Sequence, residues 1–440
     1  DAEKGAMKMT DIYEIAEYTL KALKNCGADA AQCIVGRSKK DELNVDGGKF
    51  SLMRSTFNTS ISMKAIKDGK KGVTSINQAT KEAIDEAAAQ CIAAAESSVP
   101  DEAEQIAPFT AKVEYKTGVF KPDLNKLFDR IEEFMSQTKK EYPKVILEQL
   151  ISDYEHSEKL YMNTNGTSLR YEHGEYSFNT MFSAHEGEKA SSFNGYFCAL
   201  DNLDKPFMDA GMQRQLLEES EKQLNTVSPS EKFVGRVIYS PDCFNELLQT
   251  ALENFASSGV LIDGTSPWKD ALNTKVASEK LNLRSVPLDG RTVVGQRFTS
   301  DGYPAENMDI IVDGVLKTFI LSQYGANKTG FPRALNGGNN LEVLPGDKTL
   351  EEMISGIDRG LIVNRFSGGQ PSSNGDFSGV AKNSFLIEDG KVSSAVSETM
   401  ISGNIIDMLN NIVAISKEQT TDGLSFMPWA EFDGVTVSGK

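Results

Sequence analysis

From Asp11 to Asn25, apolar side chains recur at Ile12, Ile15, Ala16, Leu20 and Leu23, with the methyl of Thr19 on the same side. That spacing lines one face of an α-helix. Asp11 followed three residues later by Glu14 supplies a capping pattern, and Gly27 supplies a stop. The pattern then changes to short runs around Ala30–Gly36, Asp41–Val45 and Thr59–Lys67 that predict strands. Lys67-Asp68-Gly69-Lys70 predicts a tight hairpin, because a two-residue turn of this kind needs residues that tolerate positive φ. An alanine-rich helix is predicted over Thr80–Ala95, an acidic, proline-containing connector over Ser97–Pro108, and another helix over about Asp123–Lys139.

Between Lys144 and Leu200 the pattern is that of a β-meander, with turn signals at Asn163-Thr164-Asn165-Gly166 and His185-Glu186-Gly187-Glu188. A polar helix is predicted over about Asp204–Asn225, and Ser228-Pro229-Ser230 is the preferred domain boundary. Beyond it, Phe233–Tyr239 reads as a strand and Pro241–Ser257 as a helix. The rest is mostly β, with turn signals at Asp289-Gly290, Asp313-Gly314, Asp389-Gly390 and Asp433-Gly434, and one helix at about Asn404–Ala414. The expectation is an α+β protein: an N-terminal α/β-type domain over residues 1–228, containing the meander at 144–200, and a C-terminal domain over 229–440. The latter is expected to be mainly antiparallel β in a barrel-like or sandwich arrangement.

Composition fits this picture. A chain of 440 residues exceeds the usual size of a single core, and 39% hydrophobic with 25% charged residues is ordinary for a globular protein. No apolar run is long enough for a membrane span. A net charge of −17, from 46 basic and 63 acidic side chains, repels nucleic acid and anionic lipid at long range. Five scattered cysteines without a disulfide or C-x-x-C spacing favour a reducing compartment, here the cytoplasm. The opening DAEKGAMKMT has no apolar leader segment, although a chain that starts on Asp1 leaves its native N-terminus open.

Chemistry-bearing residues are few. All three histidines fall between 156 and 185. If Asn165-Gly166 centres a two-residue hairpin, His156 faces Glu175 and Glu158 faces His173, which puts all four on one sheet face. Two solvated His/Glu pairs are the plainer outcome, and a His156/His173 metal site the alternative, because no zinc-ligand spacing supports the latter. The glycine-rich segments at Gly337-Gly338-Asn339-Asn340 and Ser367–Gly375 lack a phosphate-loop pattern and read as surface loops beside a groove. Gly337, Gly338, Asn374 and Gly375 are therefore candidates to line such a groove. In Pro241–Ser257, Ser240 suits the cap, while Phe244, Leu247, Leu248, Ala251, Leu252 and Phe255 form a packing stripe. With Phe244 at zero, Gln249 falls near about 140° and Asn254 near about 280°, so the two amides lie on different flanks.

Several stretches resemble the TldD/PmbA family, PmbA also being called TldE and long labelled a modulator of DNA gyrase. They are Asp301-Gly302-Tyr303-Pro304, Ile311–Leu316, Asn374–Ala381, Ile387–Val392 and Ile401–Val413, in the expected order. Val45-Asp46-Gly47-Gly48 and the Gly69–Gly72 hairpin extend the resemblance to the N-terminal half. It implies a cytoplasmic, heteromeric metallopeptidase acting in proteolysis of unfolded or leader peptides. Its TldD-type subunit carries H-E-x-x-x-H, two metal-binding histidines and a water-activating glutamate, plus a cysteine ligand near its C-terminus, and zinc is expected there. Counted back from Gly264-Thr265-Ser266, the motif positions fall on Gln249, Thr250 and Asn254, and no cysteine follows Cys243.

Carboxamides are poor zinc ligands, and threonine is no carboxylate base. The chain is thus similar to the PmbA/TldE-type, non-catalytic subunit. The resemblance implies no cofactor of its own, a TldD-type partner, a peptide substrate and no direct nucleic-acid contact; a homodimer is an open option for the isolated chain. A five-residue ligand spacing turns about 140° on a regular helix, against about 40° for a four-residue spacing, so the metal-binding relative must distort its helix there. Without metal, a more regular helix is predicted over Ser240–Ser257. Two alternatives remain: a metallopeptidase in its own right using His156, His173 and a nearby glutamate, or a peptide-binding scaffold without a peptidase partner.

Overall fold

A computed structural model describes residues 9–369, 371–397 and 399–439. The opening DAEKGAMK and Gln370, within one of the glycine-rich segments, lie outside the described residues. Helix α1 (Ile12–Asn25) begins where the Asp11 carboxylate accepts the Glu14 N–H at 2.9 Å, and it stops before Gly27, which takes a φ of 99°. Strands β1 (Ala30–Asp46) and β2 (Lys49–Lys67) follow. Sequence reading divides β1 into two pieces around Arg37-Ser38-Lys39-Lys40. The structure keeps it whole, because each of these residues is paired on both sides, to β2 and to a strand farther along the chain. Asp68 and Gly69, at φ 52° and 70°, make the predicted tight turn into β3 (Lys70–Ile76).

Helix α2 (Lys81–Glu96), capped by Thr80, lies beside α1 on one face of the sheet, over Cys33, Val35, Ile61 and Met63. It approaches so closely that a side chain at Gly72 would meet the Cys91 carbonyl at 1.9 Å. Next come β4 (Lys112–Gly118), α3 (Leu124–Glu141), β5 (Val145–Asn163) and β6 (Ser168–Glu186). The sheet runs β3-β2-β1-β5-β6-β4, antiparallel except for the β4–β6 join. Short β7 (Lys189–Ala190) and β8 (Asn194–Leu200) fold back on β6. The helix expected over 204–225 is only α4 (Gln213–Lys222): Pro206 opens a separate single turn at Phe207–Asp209, and Gly211 at φ 49° breaks the path between them.

The second sheet begins at β9 (Thr226–Val227) and continues with β10 (Phe233–Tyr239), followed by α5 (Pro241–Phe255). Its hub is the long strand Phe426–Ser438, which pairs antiparallel with β10, Thr399–Asn404 and Ile412–Thr421. Three parallel joins interrupt an otherwise antiparallel sheet. The fold is therefore α+β, with a helix/sheet N-terminal part and a β-rich C-terminal part.

Two further sequence expectations are corrected here. The helix expected at 404–414 stops at Asn410, because Ile412 and Val413 begin a strand whose partner is the hub. Short helices at Ser258–Ile262, Gln323–Thr329 and Leu350–Ser355 interrupt the β-rich region and are too brief for a 3.6-residue period to show.

The halves are joined in two ways. One hydrophobic cluster runs through both, from Leu150 and Phe178 to Ile238, Ile362 and Trp429. Separately, Phe298 packs against Tyr161 and Leu169 of the first sheet. Around that contact Gln32 Nε2 donates to Ser300 O at 3.2 Å, the Tyr161 hydroxyl donates to Gln32 Oε1 at 3.1 Å, and Thr110 Oγ1 donates to Gly302 O at 2.7 Å. Gly302 has a φ of 93°, and a Cβ there would fall 2.4 Å from the Tyr161 ring. Gly302→Ala is expected to lower stability by about 2–4 kcal/mol, combining left-handed backbone strain with overpacking. Urea unfolding measures this, and an unchanged midpoint would show that the junction is more yielding than its geometry.

Candidate functional site in the cleft between the two sheets

Beside this junction a cleft of about 750 Å³ opens between the first sheet and the C-terminal half. Its floor follows from strand periodicity. Cys33 and Val35 of β1 point to the helices, so Ile34, Gly36 and Ser38 face the opposite side. In register beside them are Ser60 and Asn58 of β2, and Lys159 and Ser157 of β5. β6 adds Tyr171 opposite Lys159 and His173 opposite Ser157. The other wall is built from Asn245 and Gln249 of α5, the segment Gln296-Arg297-Phe298, Asn339-Asn340, and Leu424-Ser425.

Helix α5 forms as its sequence directs. Ser240 caps it, Pro241 occupies the first turn, and the stripe from Phe244 to Phe255 is buried, with Phe244 edge-on to Phe432 of the hub strand at 5.8 Å. The helix is regular through Leu252–Asn254, and the Ala256 N–H still reaches Leu252 O at 2.9 Å. It ends at Phe255, short of Ser257, because Ser257 starts the next helix. Gln249 reaches the cleft one turn beyond Asn245, with their amides 3.5 Å apart. Thr250 lines a second hollow of about 450 Å³ with Tyr239, Phe366 and Phe377, Gln249 borders both spaces, and Asn254 lines neither.

Asn254 is thus set apart from Gln249 and Thr250, and an amide, a hydroxyl and an amide do not fit the N, S and carboxylate donor set of zinc. Cys243, in the first turn of α5, is buried in the core, and burial raises its thiol pKa.

The histidine geometry corrects the expected register. Met162 pairs with Ser168, and a three-residue loop, Thr164-Asn165-Gly166, replaces the expected two-residue turn. The one-residue slip changes every partner. His156 now faces Gly174, Glu158 faces Glu172, and Ser157 faces His173. His156 and His173 therefore lie on opposite faces of the sheet and do not converge.

His156 Nε2 sits 3.0 Å from Glu172 Oε1. His173, almost fully buried in the cleft floor, has Nδ1 2.8 Å from Thr117 Oγ1 and 3.1 Å from Thr117 O, and burial lowers its pKa. Its Nε2 lies 3.2 Å from Glu175 Oε2 without hydrogen-bond alignment. Among the described residues no three His, Cys, Asp or Glu side chains gather as a metal site.

Of the glycine-rich candidates, Gly337 and Gly338 belong to the loop that carries Asn339 and Asn340 into the cleft wall, and the Gly337 N–H donates to Gln296 Oε1 at 2.8 Å. Asn374 and Gly375 form a separate tight turn against Phe255 and Asn404, away from this cleft. Sequence reading passed over Lys159, Tyr171 and Arg297. The Arg297 guanidinium carbon lies 5.8 Å from the centre of the Tyr171 ring, and no local pattern connects residues so distant in the chain.

Comparison with known proteins gives two family matches: the PmbA/TldA metallopeptidase C-terminal domain over residues 232–439 and the PmbA/TldA metallopeptidase domain 1 over residues 31–95. The metalloprotease PmbA of Escherichia coli O157:H7 is 30% identical over 155 residues, 34% of each chain. The chain spans about a third to a half of the length of the curated relatives it matches. Among solved structures, TldE from Thermococcus kodakarensis matches with a TM-score of 0.85 at 23% identity, over 97% of this chain and 100% of the other. A protein named as a candidate modulator of DNA gyrase from Bacteroides thetaiotaomicron matches at 0.81 and 23%, over 99% and 100%. Both structural likenesses concern the fold.

Glu175 supplies a pH test of the cleft floor. Burial, then the nearby Glu155 and Asp153 carboxylates, push its pKa up to about 8, with Lys40 opposing them. A folded pKa above the unfolded value means that its contribution is complete below about pH 4.3 and is lost as pH rises through about 8. Glu175→Gln is expected to match the parent chain in acid and to melt higher by at least about 2 °C at pH 9. Parallel melting curves across that range would contradict the raised pKa.

Proposed function

The chain belongs to the TldD/PmbA metallopeptidase family, and we propose that it is a PmbA/TldE-type subunit, one that holds extended peptide while a TldD-type partner carries the zinc and performs the hydrolysis. The observation that carries this reading is α5. It runs as an unbroken helix along the cleft wall, with Gln249 bordering the cleft and the second hollow, Thr250 in the second hollow alone, and Asn254 lining neither. Imidazole and thiolate ligands and a carboxylate base are the groups a zinc peptidase needs, and these side chains supply none of them.

The cleft suits a peptide. Carboxamides at Asn245, Gln249, Gln296 and Asn339, with the small Gly36, Ser38 and Ser60 on the floor, match backbone N–H and C=O groups without demanding a particular side chain. Unfolded or leader peptides in the cytoplasm are the substrates this arrangement suits, and the chain's net charge of −17 argues against a direct hold on DNA.

Purified alone, the chain is expected to show no chelator-sensitive cleavage of an unstructured peptide. Mixed with a TldD-type chain, it is expected to raise that chain's cleavage rate by about tenfold or more, as peptide-positioning contributions do. Chelator-sensitive turnover by the isolated chain, or no effect on the partner, would overturn the proposal.

A further inference from the structure

Among the described residues, the cleft of a strongly acidic protein is lined by three cations, Arg37, Lys159 and Arg297, that its own carboxylates leave uncompensated; Arg37 is taken up by the Thr10 carbonyl, to which it donates, and the other two are not. Each acidic group around the cleft is already engaged. Glu155 pairs with Lys40 at 3.0 Å, Glu158 accepts from Arg170 Nε at 2.8 Å, and Asp422 accepts the backbone N–H groups of Leu424 and Ser425 at 2.8 and 2.7 Å. Neither Lys159 nor Arg297 has a carboxylate at salt-bridge distance among the described residues. Arg297 donates from Nη1 to Pro287 O at 2.9 Å and keeps its other face toward the Tyr171 ring. Lys159 stands directly opposite Tyr171 in the β5–β6 register, so the two cations flank one aromatic ring on the cleft floor. Phe298, the next residue, is fixed between the sheets, so Arg297 is held by the junction itself.

Resting on the reading of the cleft as a peptide site, we propose that Arg297 and Lys159 form a subsite for the C-terminal α-carboxylate of the bound peptide. A guanidinium offers paired N–H donors that match the two oxygens of a carboxylate, and the ammonium adds an adjacent point charge. The amides of Gln249 and Asn339 lie along the same cleft, where the preceding residues of an extended chain would run. The subsite thereby fixes polarity: the peptide's free end sits at Tyr171, and its body runs along α5. Peptides with exposed C-termini, such as cleaved fragments and short leaders, are the substrate class this selects.

The test compares one labelled, unstructured peptide in two forms, C-terminal acid and C-terminal amide, by fluorescence anisotropy on the full chain. The overall charge of −17 alone would favour the amide. The subsite is expected to reverse that order, with the acid bound at least about tenfold more tightly. Arg297→Gln is expected to bring the acid-to-amide ratio to about one, as the loss of a charged partner requires. Lys159→Gln, on an exposed position, is expected to shift it in the same direction by less, which keeps the test open should Arg297→Gln disturb the junction. Equal or tighter binding of the amide by the parent chain would overturn the carboxylate subsite and leave the peptide reading intact. Binding of neither form, with or without a TldD-type chain, would overturn both.

Discussion

Phe298 packs against Tyr161 and Leu169, and the position of the cleft depends on this contact between the two halves. Burial of one phenylalanine is worth roughly 1.5–3 kcal/mol. Its larger effect is geometric, because it brings an irregular segment of the C-terminal half onto a rigid sheet. Gln32 and Thr110 then tie the backbone that follows it, at Ser300 and Gly302, to the N-terminal half. The side chains that follow and precede Phe298 are therefore placed by a packed core rather than by a free loop. Gln296 and Arg297 face the cleft for that reason, and their distance from α5 is set by the two sheets.

On the opposite wall the same logic applies to α5. Its apolar stripe is consumed by packing against the hub strand, which leaves Asn245 and Gln249 for the cleft. A helix that must present two ligands five residues apart has to turn its second ligand back through a large angle, at the cost of backbone hydrogen bonds. Nothing in this chain rewards such a distortion, and the helix keeps its bonds to the end. The floor is polar but mostly satisfied, with Glu175 and His173 the exceptions. Burial, with the Glu155 and Asp153 carboxylates nearby, pushes the Glu175 pKa up to about 8.

Much of this was legible in the order of residues. The caps at Asp11 and Ser240, the Asp68-Gly69 turn, the stripe of α5 and the ordered family segments are local signals, and local physics produces them. What escaped was non-local or of one-residue precision. The β5–β6 register hinged on whether Gly166 closed a two- or three-residue loop, and one residue moved His156 and His173 to opposite faces. The Arg37–Lys40 stretch looked too polar for a strand interior, and only pairing on both sides explains it. Ile412 and Val413 continued a helical stripe in sequence but were claimed by the hub strand. The pairing of Arg297 with Tyr171 and Lys159 depends on the junction at Phe298, which no window of sequence contains.

The central claim is that α5 stands where a metal-binding helix would stand and has no capacity to bind one. The most direct measurement is zinc content by elemental analysis of the purified chain after equilibration with zinc near neutral pH and removal of unbound metal. A content far below one zinc per chain is expected, since amide and hydroxyl side chains are weak donors to this ion. One tightly held zinc per chain, lost together on Gln249→Ala and Asn254→Ala, would contradict it.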